Sequence, residues 1–155
     1  MRGDIEDTCD SVRITSMGVS AVQINTGSAC HLDASMIKNA LSNLTMEDLD
    51  ILIIENVGNL VCPSMFDLGE SKRVVIISTT EGEDKPIKYP DMFFSSDICI
   101  INKIDLLPYL NFDIEKLKDY AKQVNPKLEF FEVSATTGEG MDKWYSWLKN
   151  NSKTA

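Results

Sequence analysis

Cys30-His31 and Cys62-Pro63 are the residues best equipped for metal chemistry. Two thiolates and an imidazole suit a late divalent metal such as Ni²⁺ or Zn²⁺, because soft sulfur and borderline nitrogen both favour such ions. Three protein ligands leave a coordination position open, as metal transfer requires. Read alone, two cysteines and a histidine about thirty residues apart are as compatible with small buried hydrophobes. Cys99, inside the apolar run Ile98-Cys99-Ile100-Ile101, fits that description, and Cys9 lies in an acidic polar stretch.

Three apolar runs end in polar segments of a second kind. After residues 98–101 comes Asn102-Lys103-Ile104-Asp105, the Asn-Lys-x-Asp spacing of GTP-binding loops. An aspartate can accept from both the N1 hydrogen and the exocyclic amine of guanine, a pattern adenine does not offer. Asn102 would hold the loops, and the stem of Lys103 would pack along the base. After residues 128–133 comes Ser134-Ala135-Thr136-Thr137-Gly138-Glu139-Gly140, resembling the loop that offers backbone donors to the guanine oxygen. After residues 51–54 comes Glu55-Asn56-Val57-Gly58, resembling a Walker B and switch element. Glu55 would reach Mg²⁺ through water, and the Gly58 amide would approach a terminal phosphate, since no side chain blocks it. Each of the three, taken singly, is also what a strand followed by a turn looks like. Cys62 lies just downstream of Gly58, so metal and nucleotide would be coupled through one short segment.

The elements that must position these groups follow from the pattern. Runs at 19–24, 51–54, 74–77, 98–101 and 128–133 are nearly continuous in Val, Ile and Leu. That is the signature of strands covered on both faces in a parallel sheet. Asp33 predicts an N-cap for a crossover helix carrying Met36, Ile37, Ala40, Leu41 and Leu44. A second helix is predicted over 113–124, stopped by Pro126. A third follows Gly140 with Met141, Trp144 and Leu148, and residues 150–155 read as a frayed tail. Residues 81–91, with Gly82, Pro86 and Pro90 among charges, read as a surface loop with room for a short helix, either a solvated connection or a switch. In an open α/β sheet, ligands collect at the carboxyl ends of the strands, where the polar segments stand.

Composition sets the outer bounds. The 155 residues are 43% hydrophobic, enough for one domain with a real core. The 15 basic and 24 acidic residues give a formal charge of -9, which repels nucleic acid and anionic lipid. An acidic start and the lack of any apolar run of spanning length point to a cytoplasmic protein with reduced thiols.

The segments containing Val22-Gln23-Ile24-Asn25-Thr26-Gly27-Ser28-Ala29-Cys30-His31-Leu32-Asp33-Ala34, Glu55-Asn56-Val57-Gly58-Asn59-Leu60-Val61-Cys62-Pro63, Thr80-Glu81-Gly82-Glu83-Asp84-Lys85-Pro86 and Asn102-Lys103-Ile104-Asp105-Leu106-Leu107-Pro108 resemble the HypB family. The resemblance covers nearly the whole chain. It implies a SIMIBI-class P-loop GTPase that assists nickel insertion into [NiFe]-hydrogenase. GTP or GDP, Mg²⁺ and Ni²⁺ or Zn²⁺ are the ligands it implies. A homodimer linked by nucleotide and metal, a HypA-like protein and the hydrogenase large subunit are the implied partners. It makes Cys30, His31 and Cys62 the metal ligands and matches Asp4 to a switch I aspartate near Mg²⁺. No segment matches the phosphate-binding pattern GxxxxGK[ST]. The expectation is an N-terminally truncated single GTPase-like domain lacking its first strand, loop and helix, with hydrolysis correspondingly impaired. A metal-binding module without turnover is the alternative, and an unstable fragment with exposed sheet edges is another. The urease accessory GTPases are the nearest rival, but their Cys-Pro-His motif is not met, since Ser64 follows Cys62-Pro63.

Overall fold

All strand pairing in the described residues is parallel, as the continuous apolar runs require. The computed structural model describes residues 2–4, 9–27, 29–44 and 49–152, with 2–4, 9 and 10 described as backbone only. Two compact units divide the chain at residue 69.

The unit formed by residues up to 69 contains β1 (Arg2–Asp4), α1 (Cys9–Ser16), β2 (Gln23–Asn25) and α2 (Ala34–Leu41). β1 pairs with β2, setting Asp4 beside Asn25. Asp33 caps α2 as expected: its carboxylate accepts from the Met36 amide at 2.8 Å. The Ser35 hydroxyl, and after it that amide, holds the Asp33 carboxyl below its ordinary value. Ile37 and Ala40 are buried on the inward face.

Two strand expectations are corrected in this unit. The run at 19–24 yields only the short β2, shifted toward its end. Residues 51–54 form no strand, and Glu55 alone makes an isolated bridge. β-Branched residues favour extended backbone, but an apolar run does not by itself specify a regular strand. Ile53 is 65% exposed despite its apolar character.

The unit from 70 to 152 is more regular. It comprises β3 (Val74–Ser78), α3 (Lys85–Lys88), α4 (Pro90–Ser95), β4 (Ile98–Asn102), α5 (Ile114–Val124), β5 (Glu129–Glu132) and α6 (Met141–Asn151). The strands stand in the order β3-β4-β5. The pleat sends Val74, Ile98, Ile100 and Phe131 to one face, where Met141, Trp144 and Trp147 of α6 pack with Val133. Trp144 meets Phe131 edge-on at 5.4 Å and stacks on Trp147 at 5.4 Å. Val75, Ile77, Cys99 and Ile101 point the other way and are buried, as are Met92 and Phe93 of α4 and Leu117 and Ala121 of α5. Helices on both faces explain why β4 alternates so little: Ile98 through Ile101 are all buried. Cys99 is fully buried, and burial pushes its thiol up to about 12.

The charged stretch at 81–91 is not a bare loop. It folds into α3 and α4, Pro86 is fully buried, and α3 packs on α5. Glu83 accepts from the Asp113 amide at 3.0 Å, and that bond first of all holds its carboxyl below the ordinary range. Asp113 in turn caps α5 by accepting from Lys116 N. α6 runs to Asn151, inside the tail expected to fray, and residues 153–155 lie outside the described residues. No helix among the described residues is long and apolar enough to cross a membrane.

Candidate functional site

The carboxyl end of β4 carries the first site. Asn102 closes the strand, and its side-chain oxygen accepts from the amides of Lys103 at 2.7 Å and Ala135 at 3.1 Å. One side chain thus ties the loop after β4 to the loop after β5. Lys103 adopts the left-handed conformation, with φ 65°. That bend turns the chain into the 3-10 helix Ile104–Tyr109, whose first turn bears Asp105. The Asp105 Oδ1 atom is buried, and no hydrogen-bond partner reaches it among the described residues. A buried carboxylate oxygen is costly unless something donates to it, and guanine carries the two adjacent donors that fit.

The loop after β5 is fixed just as firmly. Ser134 is fully buried; its amide donates to Glu139 O, its carbonyl accepts from Gly138 N, and its hydroxyl accepts from the Thr137 amide. Gly140 then begins α6 with φ +74°, where a Cβ would run into the backbone oxygen of Glu132. Only glycine fits that position. Ala135 is left exposed at the tip with its amide on Asn102.

Thr79 belongs to the same assembly and was not singled out from the sequence. It is 2% exposed; its hydroxyl donates to Lys103 O at 2.8 Å, and its amide donates to Asn102 O at 3.0 Å. Its position directly after β3, level with the polar segment after β4, was the available signal.

The second site lies in the N-terminal unit. Cys30 Sγ and Cys62 Sγ approach to 2.6 Å although 32 positions separate them. His31 Nδ1 is 3.8 Å from Cys30 Sγ, and its ring stacks on Phe66 with centroids 3.8 Å apart and planes 9° apart. The structure therefore brings together the two predicted thiols, while the imidazole rests against Phe66. No group of three or more His, Cys, Asp or Glu side chains converges as a ready-made metal cage among the described residues. Cys30 and Cys62 are both free thiols, and Cys30 is exposed. The Cys62 thiol is raised above its ordinary value, first by its hydrogen bond with Cys30, then by burial and the neighbouring thiolate charge. A cation placed between the sulfurs would reverse that effect, because both sulfurs ligate as thiolates.

Glu55 and Gly58 lie on the segment that leads to Cys62, and both are exposed. A Cβ at Gly58 would meet nothing within 4 Å, and its φ is not positive. Neither packing nor backbone conformation within the chain demands glycine there. Asp4 ends β1 beside Asn25; its side chain lies outside the described residues.

Comparison with known proteins gives one answer. Residues 3–132 match the family profile of the CobW/HypB/UreG nucleotide-binding domain. The chain is 54% identical over 149 residues to the hydrogenase maturation factor HypB of Escherichia coli (strain K12), covering 96% of this chain and 51% of that protein. It thus spans about half the length of such relatives. A crystal structure of HypB from Helicobacter pylori in complex with nickel superposes with a TM-score of 0.92 at 39% identity, covering 99% of this chain and 76% of that one. HypB from Archaeoglobus fulgidus gives 0.88 at 43% identity, covering 97% and 73%. The chain, with its parallel β3-β4-β5 sheet and its Asn102 to Asp105 and Ser134 to Gly140 loops, belongs to the CobW/HypB/UreG family of P-loop NTPases, on the HypB side of it.

Proposed function

We propose that this chain is the guanine-reading and metal-carrying part of a GTP-dependent metallochaperone that assists nickel insertion into a [NiFe]-hydrogenase. The observation that carries the nucleotide half is the buried, unpartnered Oδ1 of Asp105 beside a loop pair locked by Asn102. Guanine N1–H and its exocyclic amine supply the donors that Asp105 lacks, and the Ser134-Ala135 turn supplies backbone groups to the base. Lys103, exposed on its left-handed turn, lays its stem along the ring. Glu55 and Asp4 serve Mg²⁺, a hard cation that takes oxygen ligands and keeps several waters. The open space at Gly58 suits the close approach of a terminal phosphate.

The metal half is supported by the converged thiols. Cys30, Cys62 and His31 hold Ni²⁺ or Zn²⁺ as cargo, with Phe66 setting the plane of the imidazole. The HypB relatives are named hydrogenase maturation factors, and the Helicobacter pylori protein was crystallised with nickel. We extend that role here, together with a cytoplasmic location, a nucleotide- and metal-linked homodimer, a HypA-like partner and the hydrogenase large subunit as recipient. A second reading is favoured by the absence of any GxxxxGK[ST] segment from the sequence: this chain binds metal and base but turns over no GTP.

Calorimetric titration of the purified chain with GDP and then ATP, each with Mg²⁺, tests the nucleotide half. Saturable binding of GDP and none of ATP is expected. Equal affinity for both, or none for either by folded protein, overturns guanine recognition.

A further inference from the structure

Two cysteines 32 positions apart, Cys30 on irregular backbone and Cys62 opening a short 3-10 helix, need something to hold them together, because no strand ladder runs between them among the described residues. The side chain of Asn59 makes that connection. Its Nδ2 donates to the Cys30 carbonyl at 2.8 Å, and its Oδ1 accepts from the amides of Val61 at 3.1 Å and Cys62 at 2.8 Å. One carboxamide therefore binds the backbone of both thiol-bearing residues. The Asn59 amide itself donates to Val57 O at 2.8 Å, fixing the turn from which the side chain reaches out. We propose that Asn59 is the positioning residue of the thiol pair, setting the Cys30–Cys62 separation and thereby the affinity for a soft divalent metal.

Chemistry distinguishes this role from ordinary capping. Acceptance from Val61 N and Cys62 N leads into the 3-10 helix Cys62–Met65, and any oxygen acceptor could provide it. Donation to the Cys30 carbonyl requires an N–H. Only an amide side chain of this length does both. Asn56 reinforces the hold three residues earlier: its Oδ1 accepts from the Leu32 amide at 2.9 Å and from its neighbour Val57 at 2.8 Å. Cys30-His31-Leu32 is thus held at its first carbonyl by Asn59 and at its last amide by Asn56, with the His31 ring laid on Phe66. All the holding groups come from the segment of residues 56–66, which includes Gly58. A displacement of that segment would pull directly on Cys30.

The inference deepens the metal reading above and rests on it for its nickel readout, so the test carries a second readout free of metal. Asn59→Asp keeps the acceptor and loses the donor; Asn59→Ala loses both. Nickel affinity is measured for both variants and the parent by the sulfur-to-nickel absorption band under competition with a chelator. A loss of on the order of tenfold or more is expected, the range for residues that orient metal ligands. In the metal-free chain, oxidised glutathione is added and the Cys30–Cys62 link is followed by peptide mapping. One thiolate attacks the glutathione disulfide and expels glutathione thiolate; the other attacks the mixed disulfide and expels the second, so two thiols are oxidised as one disulfide is reduced. Closure in Asn59→Asp is expected to slow by roughly tenfold as the two thiols lose their shared tether, at an unchanged Tm because the cap persists. Closure rates and nickel affinities within twofold of the parent in Asn59→Asp overturn the proposal. If Asn59→Ala does not fold, the Asp variant alone decides. If the parent binds no nickel but closure still depends on Asn59, the metal reading fails and the tether stands.

Discussion

The loops after β4 and β5 and the loops bearing Cys30 and Cys62 solve one problem by different means. At the first pair of loops, the three paired strands β3-β4-β5 bring Thr79, Asn102 and Val133 level before any side chain acts. Asn102 then links two ends that the ladder has already aligned. On the thiol side the ladder among the described residues is the short β1-β2 pair, and residues 51–54 form no regular strand. There Asn56 and Asn59 supply by side chain the connections that backbone pairing supplies in the other unit. A site set by a sheet tolerates the loss of a single polar contact better than a site held by two asparagines.

The comparison can be broken at its firmest point by Gly140→Ala. The new Cβ would strike Glu132 O at a positive φ, so a cost of about 3 kcal/mol or more is expected, in the range of strain at special backbone positions. Denaturant unfolding followed by Trp144 and Trp147 fluorescence checks it; a loss under 1 kcal/mol would show that the loop after β5 can re-form elsewhere.

Asp105→Asn should weaken GDP by on the order of 100-fold, since each hydrogen bond to a charged group contributes about 1.5–3 kcal/mol. The variant offers one acceptor and one donor, so xanthosine diphosphate should gain what guanosine diphosphate loses. Unchanged GDP affinity in calorimetry would remove Asp105 from the base.

Cys62→Ala should weaken the sulfur-to-nickel absorption band, leaving Cys30 as the remaining thiolate donor, and lower nickel affinity by at least tenfold, as expected when a thiolate ligand is deleted. GDP binding measured on the same sample serves as the control. An unchanged band at unchanged affinity would remove Cys62 from the nickel site.

The smallest effect concerns pH. Burial pushes the Asp97 carboxyl up, yet the Arg73 amide at 2.9 Å and Lys72 at 3.0 Å together hold it below its ordinary value. A lowered carboxyl stabilises the fold above its unfolded value, and that contribution is lost as pH falls through the folded value. The side chain is 41% exposed, so solvent screening limits the effect of Asp97→Asn to roughly 1 kcal/mol at neutral pH. The difference from the parent should shrink below about pH 4, where the unfolded carboxyl protonates. A gap that persists to acid pH would mean the asparagine disturbs packing instead.

Legibility differed between the two units for the same reason. Strands at 74–77, 98–101 and 128–133, the helix capped by Asp33 and the helix over 113–124 could be read because each carries its own signal: an apolar run, a capping carboxylate, a proline at the stop. Asn102, Asp105 and Ser134 follow those strands directly, so their meeting is nearly implied by parallel pairing. Residues 51–54 carried the same apolar signal but form no regular strand, since an apolar run favours extended backbone without specifying a ladder.

What the sequence determined by itself is the α/β class, the parallel strand runs, the polar loops that follow them and the residue types of two thiols and an imidazole. Tertiary structure alone decided that Cys30 meets Cys62, that His31 lies on Phe66, that Thr79 supports Lys103, and that Asn59 bridges the thiol loops. Local signals act over one turn of helix or one strand. Contacts across 24 to 32 positions, as between Thr79 and Lys103 or Cys30 and Cys62, are instead set by which side-chain groups the folded backbone leaves within reach.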